Sequence, residues 1–396
     1  MIDPTATFER LLLKTVEQTL AEVTVGGALL TAAERAQALH VLSFALENRA
    51  AWPLARDLLL TLAPIMEQLG HRTDWIPYLE RGLQVSENRG EAQSAGECQL
   101  QLGLLYRLLG EFDQAQQWVK GSIATFVLVD NQHGQARSYL EQAWIDHLQH
   151  RYSAAATHVE QARALLTPDA PEQALCWRTL GAIAFNQGRY VEAEQFHKAA
   201  LQLFEQQGDK RRSAWTLQNL ANAFRWQTQY QVAIDYYQKA AAILLDLGDS
   251  YHWAHVQMNL GSTYCDAGQP AVGVGCHQNA NRIFTNVNDR LNIAKSNTGL
   301  GLGYWRQGAF AQAEIAFCRS VEQFAALQDE SGRLNAVDGL AMTYLACQQY
   351  PRAIALLEQG LIDLAQIQEA PNYQYLHKSF NHHLAQAKEG AQLFLS

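Results

Sequence analysis

The sequence predicts an all-α fold: a right-handed α-α superhelical solenoid of about eight helix-turn-helix units with helical caps. Three observations carry this. A pattern about 40 residues long recurs eight times along the chain. Small side chains return at fixed places in it, where one helix must approach another closely. Leu, Ala and Gln dominate while β-branched residues are few, which favours helix in both halves of each unit.

The repeats align on anchors at Leu62, Leu102, Gln142, Leu180, Leu220, Leu260, Leu300 and Leu340, with spacings of 40, 40, 38, 40, 40, 40 and 40 residues. The residue after every anchor is Gly or Ala. Thirteen after the anchor stand Ala115, Ala155, Ala193, Ala233, Gly273, Ala313 and Ala353, with Trp75 the exception. Twenty after it all eight are again small, from Gly82 to Gly360. Phe112, Tyr152, Tyr190, Tyr230, Phe310 and Tyr350 open the second helix. Just before them Gly70, Gly110, Gly188, Gly268 and Gly308 supply the left-handed residue that ends the first. Asp130, Asp209, Asp249, Asp289 and Asp329 fall in the inter-unit turns and read as turn and N-cap residues.

The flanks differ. Residues 4–22 and 31–49 read as two helices, with Asp3-Pro4 and Thr31 as start signals. Residues 372–394, opened by Pro371, read as a final helix with Tyr373, Leu376, Phe380, Leu384 and Ala387 on one stripe. The division is therefore an N-terminal helical cap over 1–53, an eight-unit solenoid over 54–368 and a C-terminal capping helix over 369–396. Pro64 falls inside the first helix of the first unit, where it would kink the helix.

Composition narrows the function. The 396 residues are 48% hydrophobic and only 17% charged, and 30 basic against 39 acidic residues give a net charge of -9. That argues against nucleic acid as a partner, since phosphate binding needs a positive excess. No stretch is apolar enough for a membrane span, and the first residues do not read as a signal peptide. The six scattered cysteines, with no CxxC, read as reduced and mostly buried. A cytoplasmic protein is expected. The cluster His377, His382 and His383 has poor spacing for shared ligation, so these read as solvated cap histidines and no metal or cofactor is expected. GLGLG at 299–303 falls on the small-residue register inside a first helix and serves close packing. There is no GxSxG or HExxH, and the chain is expected to have no enzymatic activity.

The pattern resembles the tetratricopeptide repeat, whose Leu-Gly/Ala…Tyr…Ala…Phe/Tyr…Ala consensus stands in residues 180–204, 220–244, 300–324 and 340–364. The longer unit is similar to the branch found in kinesin light chains, in mitotic-spindle adaptors and in the sensor arms of bacterial STAND/MalT-like regulators. Residues 54–83 look like the first repeat of such arms. No GxxxxGK[ST] accompanies them in this sequence.

Stacking would put the first helix of every unit on an inner, concave wall. The residues facing it at three-to-four spacing are Arg178 and Asn186, then Trp215, Gln218, Asn219, Asn222, Arg225 and Trp226, then His255 and Asn259, then Lys295 and Arg306. Amides can pair with an extended peptide backbone, aromatics can take side chains, and the cations can take a carboxylate. Asn219 and Asn259, in QNLA and MNLG, resemble the asparagines that touch peptide backbone in the longer-repeat relatives. The expected function is capture of a peptide segment or partner protein in the groove, as adaptor or scaffold. The alternative is a regulatory sensor whose superhelix changes shape on binding, with Gly273 and Gly275 as a flexible point. Self-association through the solenoid ends is a further expectation.

Overall fold

The computed structural model describes residues 4–27, 30–68, 72–368, 370 and 372–395. These hold nineteen α-helices and no strand. Asp3, Gly70 and Pro371 lie outside the described residues. Helices α1 (Pro4–Gly26) and α2 (Ala32–Ala45) come first. Thr31 caps α2: its hydroxyl accepts from the Glu34 N–H, and the Glu34 carboxylate accepts from the Thr31 N–H at 2.6 Å. Two otherwise orphaned backbone donors are satisfied together.

Eight helix pairs follow, in the register the sequence sets. They are α3 (Trp52–Gln68) with α4 (Arg72–Arg89), α5 (Ala92–Leu108) with α6 (Phe112–Leu128), α7 (Gln132–Leu148) with α8 (Tyr152–Leu165), and α9 (Gln173–Asn186) with α10 (Tyr190–Gln206). The remaining four are α11 (Lys210–Trp226) with α12 (Tyr230–Asp246), α13 (Ser250–Asp266) with α14 (Pro270–Asn286), α15 (Arg290–Arg306) with α16 (Phe310–Ala326), and α17 (Glu330–Ala346) with α18 (Tyr350–Leu364). Helix α19 (Tyr373–Leu395) ends the chain. Helix α3 runs on through Pro64. The chain forms two compact units, residues 1–223 with 246–249 and residues 224–245 with 250–396.

In the first unit the helices from α1 to α10 pack on their sequence neighbours, and first helices of successive pairs touch, as α5 does α7 and α7 does α9. Its largest core joins α1, α2 and the pairs up to α5 through Trp52, Leu58, Leu59, Leu62, Trp75 and Leu79. Trp75 stands where other pairs carry Ala or Gly. It is fully buried and stacks on Tyr78 at 5.4 Å, so a large ring fills the space that a second helix elsewhere closes by approach. The single 38-residue spacing has a visible cause. Helices α8 and α9 are 14 residues each, and Leu166 leaves α8 in an extended conformation.

In the second unit the same logic is filled by aromatics. Phe317 lies between Gly301 and Gly339, close enough that a Cβ on either glycine would collide with its ring. Helix α19 docks on α17 and α18 through the fully buried Leu376 and Phe380. Phe317 sits seventeen after its anchor. The same place holds Tyr237, His197 and His277, all nearly inaccessible to water.

The turn inside each pair shows what backbone geometry the hairpin demands. Gly110, His150, Gly188, Thr228, Gly268, Gly308 and Gln348 all take φ between 58° and 81°. The left-handed residue is thus present in every described hairpin between α5 and α18, whether or not glycine supplies it. It closes a Schellman motif: at the first of these turns the Glu111 N–H donates to the Tyr106 carbonyl at 2.9 Å and the Gly110 N–H to the Arg107 carbonyl at 3.0 Å. Between pairs, Asp209, Asp289 and Asp329 accept from the N–H groups of Arg212, Asn292 and Gly332 at 2.9, 3.1 and 2.8 Å. Asp130 corrects the expectation. It is itself the left-handed residue, with φ 49°, and Asn131 caps α7 instead.

Cys98, Cys176, Cys265 and Cys276 are buried thiols, Cys318 is half-buried and Cys347 exposed. Among the described residues no helix is long and apolar enough to cross a membrane.

Candidate functional site

In the first unit, α7, α9 and α11 bring a column of rings and cations together. The Arg178 guanidinium carbon lies 5.6 Å from the ring centre of Trp144 and 5.6 Å from that of Trp215. On Trp215 the Arg211 guanidinium follows at 4.3 Å. Arg211 is held in turn by the buried Asp249, its Nε donating at 3.0 Å. Arg178 has no hydrogen bond or ion pair among the described residues, and its Nε is shut off from solvent. Burial first, and then the charges of Arg212 and Arg107, lower its pKa to about 10. Beneath it His197 is kept neutral, its pKa lowered to about 3 by burial and by Arg178.

Asn186 is exposed and its amide meets the His147 ring at 3.2 Å. Gln218, Asn219 and Asn222 are half-buried along α11. Two ion pairs join first helices of successive pairs here, Arg137 with Glu97 at 2.9 Å and Arg107 with Glu141. Neither is evident from the residue patterns singled out in the sequence. The signal that finds them is the period itself. Glu97 and Arg137 are 40 residues apart, so opposite charges one repeat apart on a first helix come face to face.

In the second unit the same rule consumes two of the expected cations. Arg225 donates through Nε and an Nη to one oxygen of Asp266, at 2.9 and 2.7 Å, and Arg306 donates to the other at 2.9 Å. Arg306 also reaches the Cys265 carbonyl. Asp266 thus takes the charge of both, and neither is left to meet a carboxylate from outside. Trp226 is 57% exposed. His255 is half-buried in an aromatic cluster, 5.0 Å from the ring centres of both Tyr251 and Phe284.

Asn259 and Lys295 meet in a cleft of about 530 Å³ formed by α13, α15 and α17. Its polar lining includes Asn259, Ser262, Lys295, Thr298, Ser331, Asn335 and Asn372, with the acid Asp329 beside them. Lys295 is exposed and has no ion pair among the described residues. The buried His277 also lines the cleft; its Nδ1 has no hydrogen-bond partner, and burial followed by the charge of Arg225 lowers its pKa to about 4. Gly299, from GLGLG, faces this ring, so that glycine serves packing. Met258 and Leu302 add apolar surface. A cleft of this make-up, with one cation and one acid among its amides and hydroxyls, can hydrogen-bond a peptide backbone.

Of the terminal histidines, His377 and His382 are exposed and one departs from expectation. His383 is no solvated residue: its Nδ1 meets the buried Asp338 at 2.7 Å, and Ser379 donates to the other Asp338 oxygen at 2.7 Å. The pair fastens α19 to α17. Among the described residues no group of His, Cys, Asp or Glu is placed to hold a metal ion.

Residues 172–246 match the tetratricopeptide repeat family. No curated protein matches the chain by sequence. Similar solved structures include a Rap protein complexed with Competence and Sporulation Factor, 13% identical over 82% of this chain and 98% of that one, with a TM-score of 0.55. A STAND protein with a tetratricopeptide-repeat sensor from Pyrococcus horikoshii is 13% identical over 92% of this chain and 53% of its own, with a TM-score of 0.57. NprR in complex with its cognate peptide NprX is 14% identical over 73% of this chain and 81% of its own, with a TM-score of 0.51. At these identities the likeness is one of fold. Residues 172–246 thus match the tetratricopeptide repeat, and the register and helix pairs on either side of them repeat the same helical hairpin.

Proposed function

We propose that the chain is a non-catalytic interaction module that receives a peptide segment or partner protein on the face formed by successive first helices, as adaptor or scaffold. The observation that carries this is the second-unit cleft, where first helices of three consecutive pairs pool amides, hydroxyls, the cation Lys295 and the acid Asp329 around the apolar Met258, Leu302 and Phe324. Such a lining suits an extended main chain better than a reacting centre, because it offers hydrogen-bond partners at repeat spacing. The fold it shares with NprR, solved with a cognate peptide, is in keeping with this use. In the same reading 1–53 and 369–396 are caps on the run of pairs over 54–368, and the protein works in the cytoplasm.

The test is selection of displayed random dodecapeptides on the intact chain, then on the Asn259→Ala/Lys295→Ala/Asn335→Ala variant. Enriched peptides should lose at least tenfold in affinity on the variant while its melting temperature stays put. Absence of enrichment, or undiminished binding by the variant, refutes the reading.

A regulatory sensor is the second reading, favoured by one feature of α14. A Cβ on Gly275 would meet nothing within 4 Å, so packing does not require that glycine and its effect on the helix is added flexibility. A ligand-dependent change in scattering radius separates this reading from a rigid scaffold.

A further inference from the structure

We infer that the chain associates with a second copy of itself through the outer face of α1, the two helices lying antiparallel about a two-fold axis; this goes beyond the peptide-binding reading and does not rest on it. The inner face of α1 is spent on the core, where Leu12, Val16, Thr19 and Val23 are buried. The outer face carries Leu11, Lys14, Gln18, Ala21 and Val25, all exposed, at alternating spacings of three and four. That spacing makes the seam along which two helices pair. Phe8 flanks it about one turn before Leu11, and Phe8, Leu11 and Val25 are 54%, 57% and 90% exposed. The helix that ends the second unit is built differently. The exposed side of α19 carries Lys378, Asn381, His382 and Gln386 along its middle, the polar outer face of a cap that meets water.

Charge says what covers the α1 face. Arg10 and Lys14 lie in its first half and Glu17 and Glu22 in its second, all four exposed and none in an ion pair among the described residues. Glu22 accepts only from the Gln18 amide, at 2.8 Å. Arg10 and Lys14 are like charges four residues apart, an arrangement that works against a helix left alone. A parallel copy would set like charge along like. An antiparallel copy sets the positive half of each helix along the negative half of the other, and one two-fold axis satisfies both halves at once. The steric pattern agrees with this direction. With Lys14 opposite Gln18, Leu11 falls opposite Ala21, a large side chain against a small one, so the two backbones can approach.

The experiment is sedimentation velocity on the full chain from about 5 to about 200 μM. A single helix face is small for a stable interface, so a monomer–dimer equilibrium in the micromolar range is expected. Arg10→Glu/Lys14→Glu makes the whole face negative, and Glu17→Lys/Glu22→Lys makes it positive. Each variant alone should dimerise at least tenfold more weakly than the unmodified chain. Mixed one to one, the two should associate at least as tightly as the unmodified chain does. The chain carrying all four substitutions, with its halves exchanged, should dimerise again. Leu11→Gln/Val25→Gln should weaken dimerisation about tenfold without moving the melting temperature, since both side chains are exposed. The mixture carries the test against misfolding, because a variant that failed to fold would not be rescued by its partner. An unmodified chain that stays monomeric at the highest concentration overturns the inference, and the face then serves some other occupant. Dimerisation that ignores both charge variants places the interface elsewhere and overturns it too, as does a mixture that stays monomeric.

Discussion

Lowering the pH from 7 to 5 is expected to cost the folded chain about 2 kcal/mol at His197 alone. The residue is 1% exposed in the first unit, and burial with Arg178 overhead lowers its pKa to about 3. An unfolded histidine takes its proton near pH 6.5. The unfolded chain therefore binds more protons throughout the window from about 6.5 down to about 3, and stability falls as pH falls through it. The contribution is whole above the unfolded value. At pH 5 the gap is about 1.5 pH units, and at about 1.36 kcal/mol per unit this gives the figure above. His277, lowered to about 4, adds a similar amount in the second unit. His197→Phe isolates the effect, because Phe317 fills the equivalent place against Gly301 without a titrating group. Stacked pairs need not unfold in one step, so the assay is hydrogen exchange of α9 and α10 amides at both pH values, corrected for intrinsic rates. The unmodified chain should lose about 2 kcal/mol of local protection at pH 5 and His197→Phe should lose much less. An equal loss in both, or none in the unmodified chain, refutes the reasoning.

Two further predictions concern backbone. Gly275→Ala should stabilise the chain by about 0.5–1 kcal/mol, since its Cβ meets nothing; Gly273→Ala should destabilise it by about 1–3 kcal/mol, since its Cβ would lie 2.6 Å from the Gly261 carbonyl and 2.5 Å from the Cys265 sulfur. Urea melts of the two variants check the opposite signs. Thr228, a β-branched residue at φ 61°, is strained, and Thr228→Gly should raise stability by about 0.5–1 kcal/mol in the same melts.

The hairpin register was legible because it is a volume pattern, and volume is what close helix packing selects. Gly181 faces His197 and Gly301 faces Phe317, each pair set by sequence spacing alone. The turns were legible only where glycine marks them. His150, Thr228 and Gln348 adopt the same left-handed conformation with no residue that announces it, because the hairpin imposes the geometry and strain is accepted. Which polar residues share a first-helix face was readable too, but not which of them satisfy one another. Asp266 reaches Arg225 and Arg306 across one repeat on either side, and that choice depends on side-chain reach. Trp144 was not singled out among the candidate residues, so its place beside Arg178 emerged from the stacked helices.

Among the described residues, the helix contacts within each unit join helices one or two steps apart in the chain. Every contact is therefore closed over a short loop, so folding can begin at any hairpin and spread outward without first ordering distant segments. An inserted or deleted hairpin would shift the downstream ion pairs as a block instead of dissolving a common centre. Length, on this plan, is a free variable: the chain can gain or lose reach in steps of one hairpin while each surviving neighbour keeps its own partners.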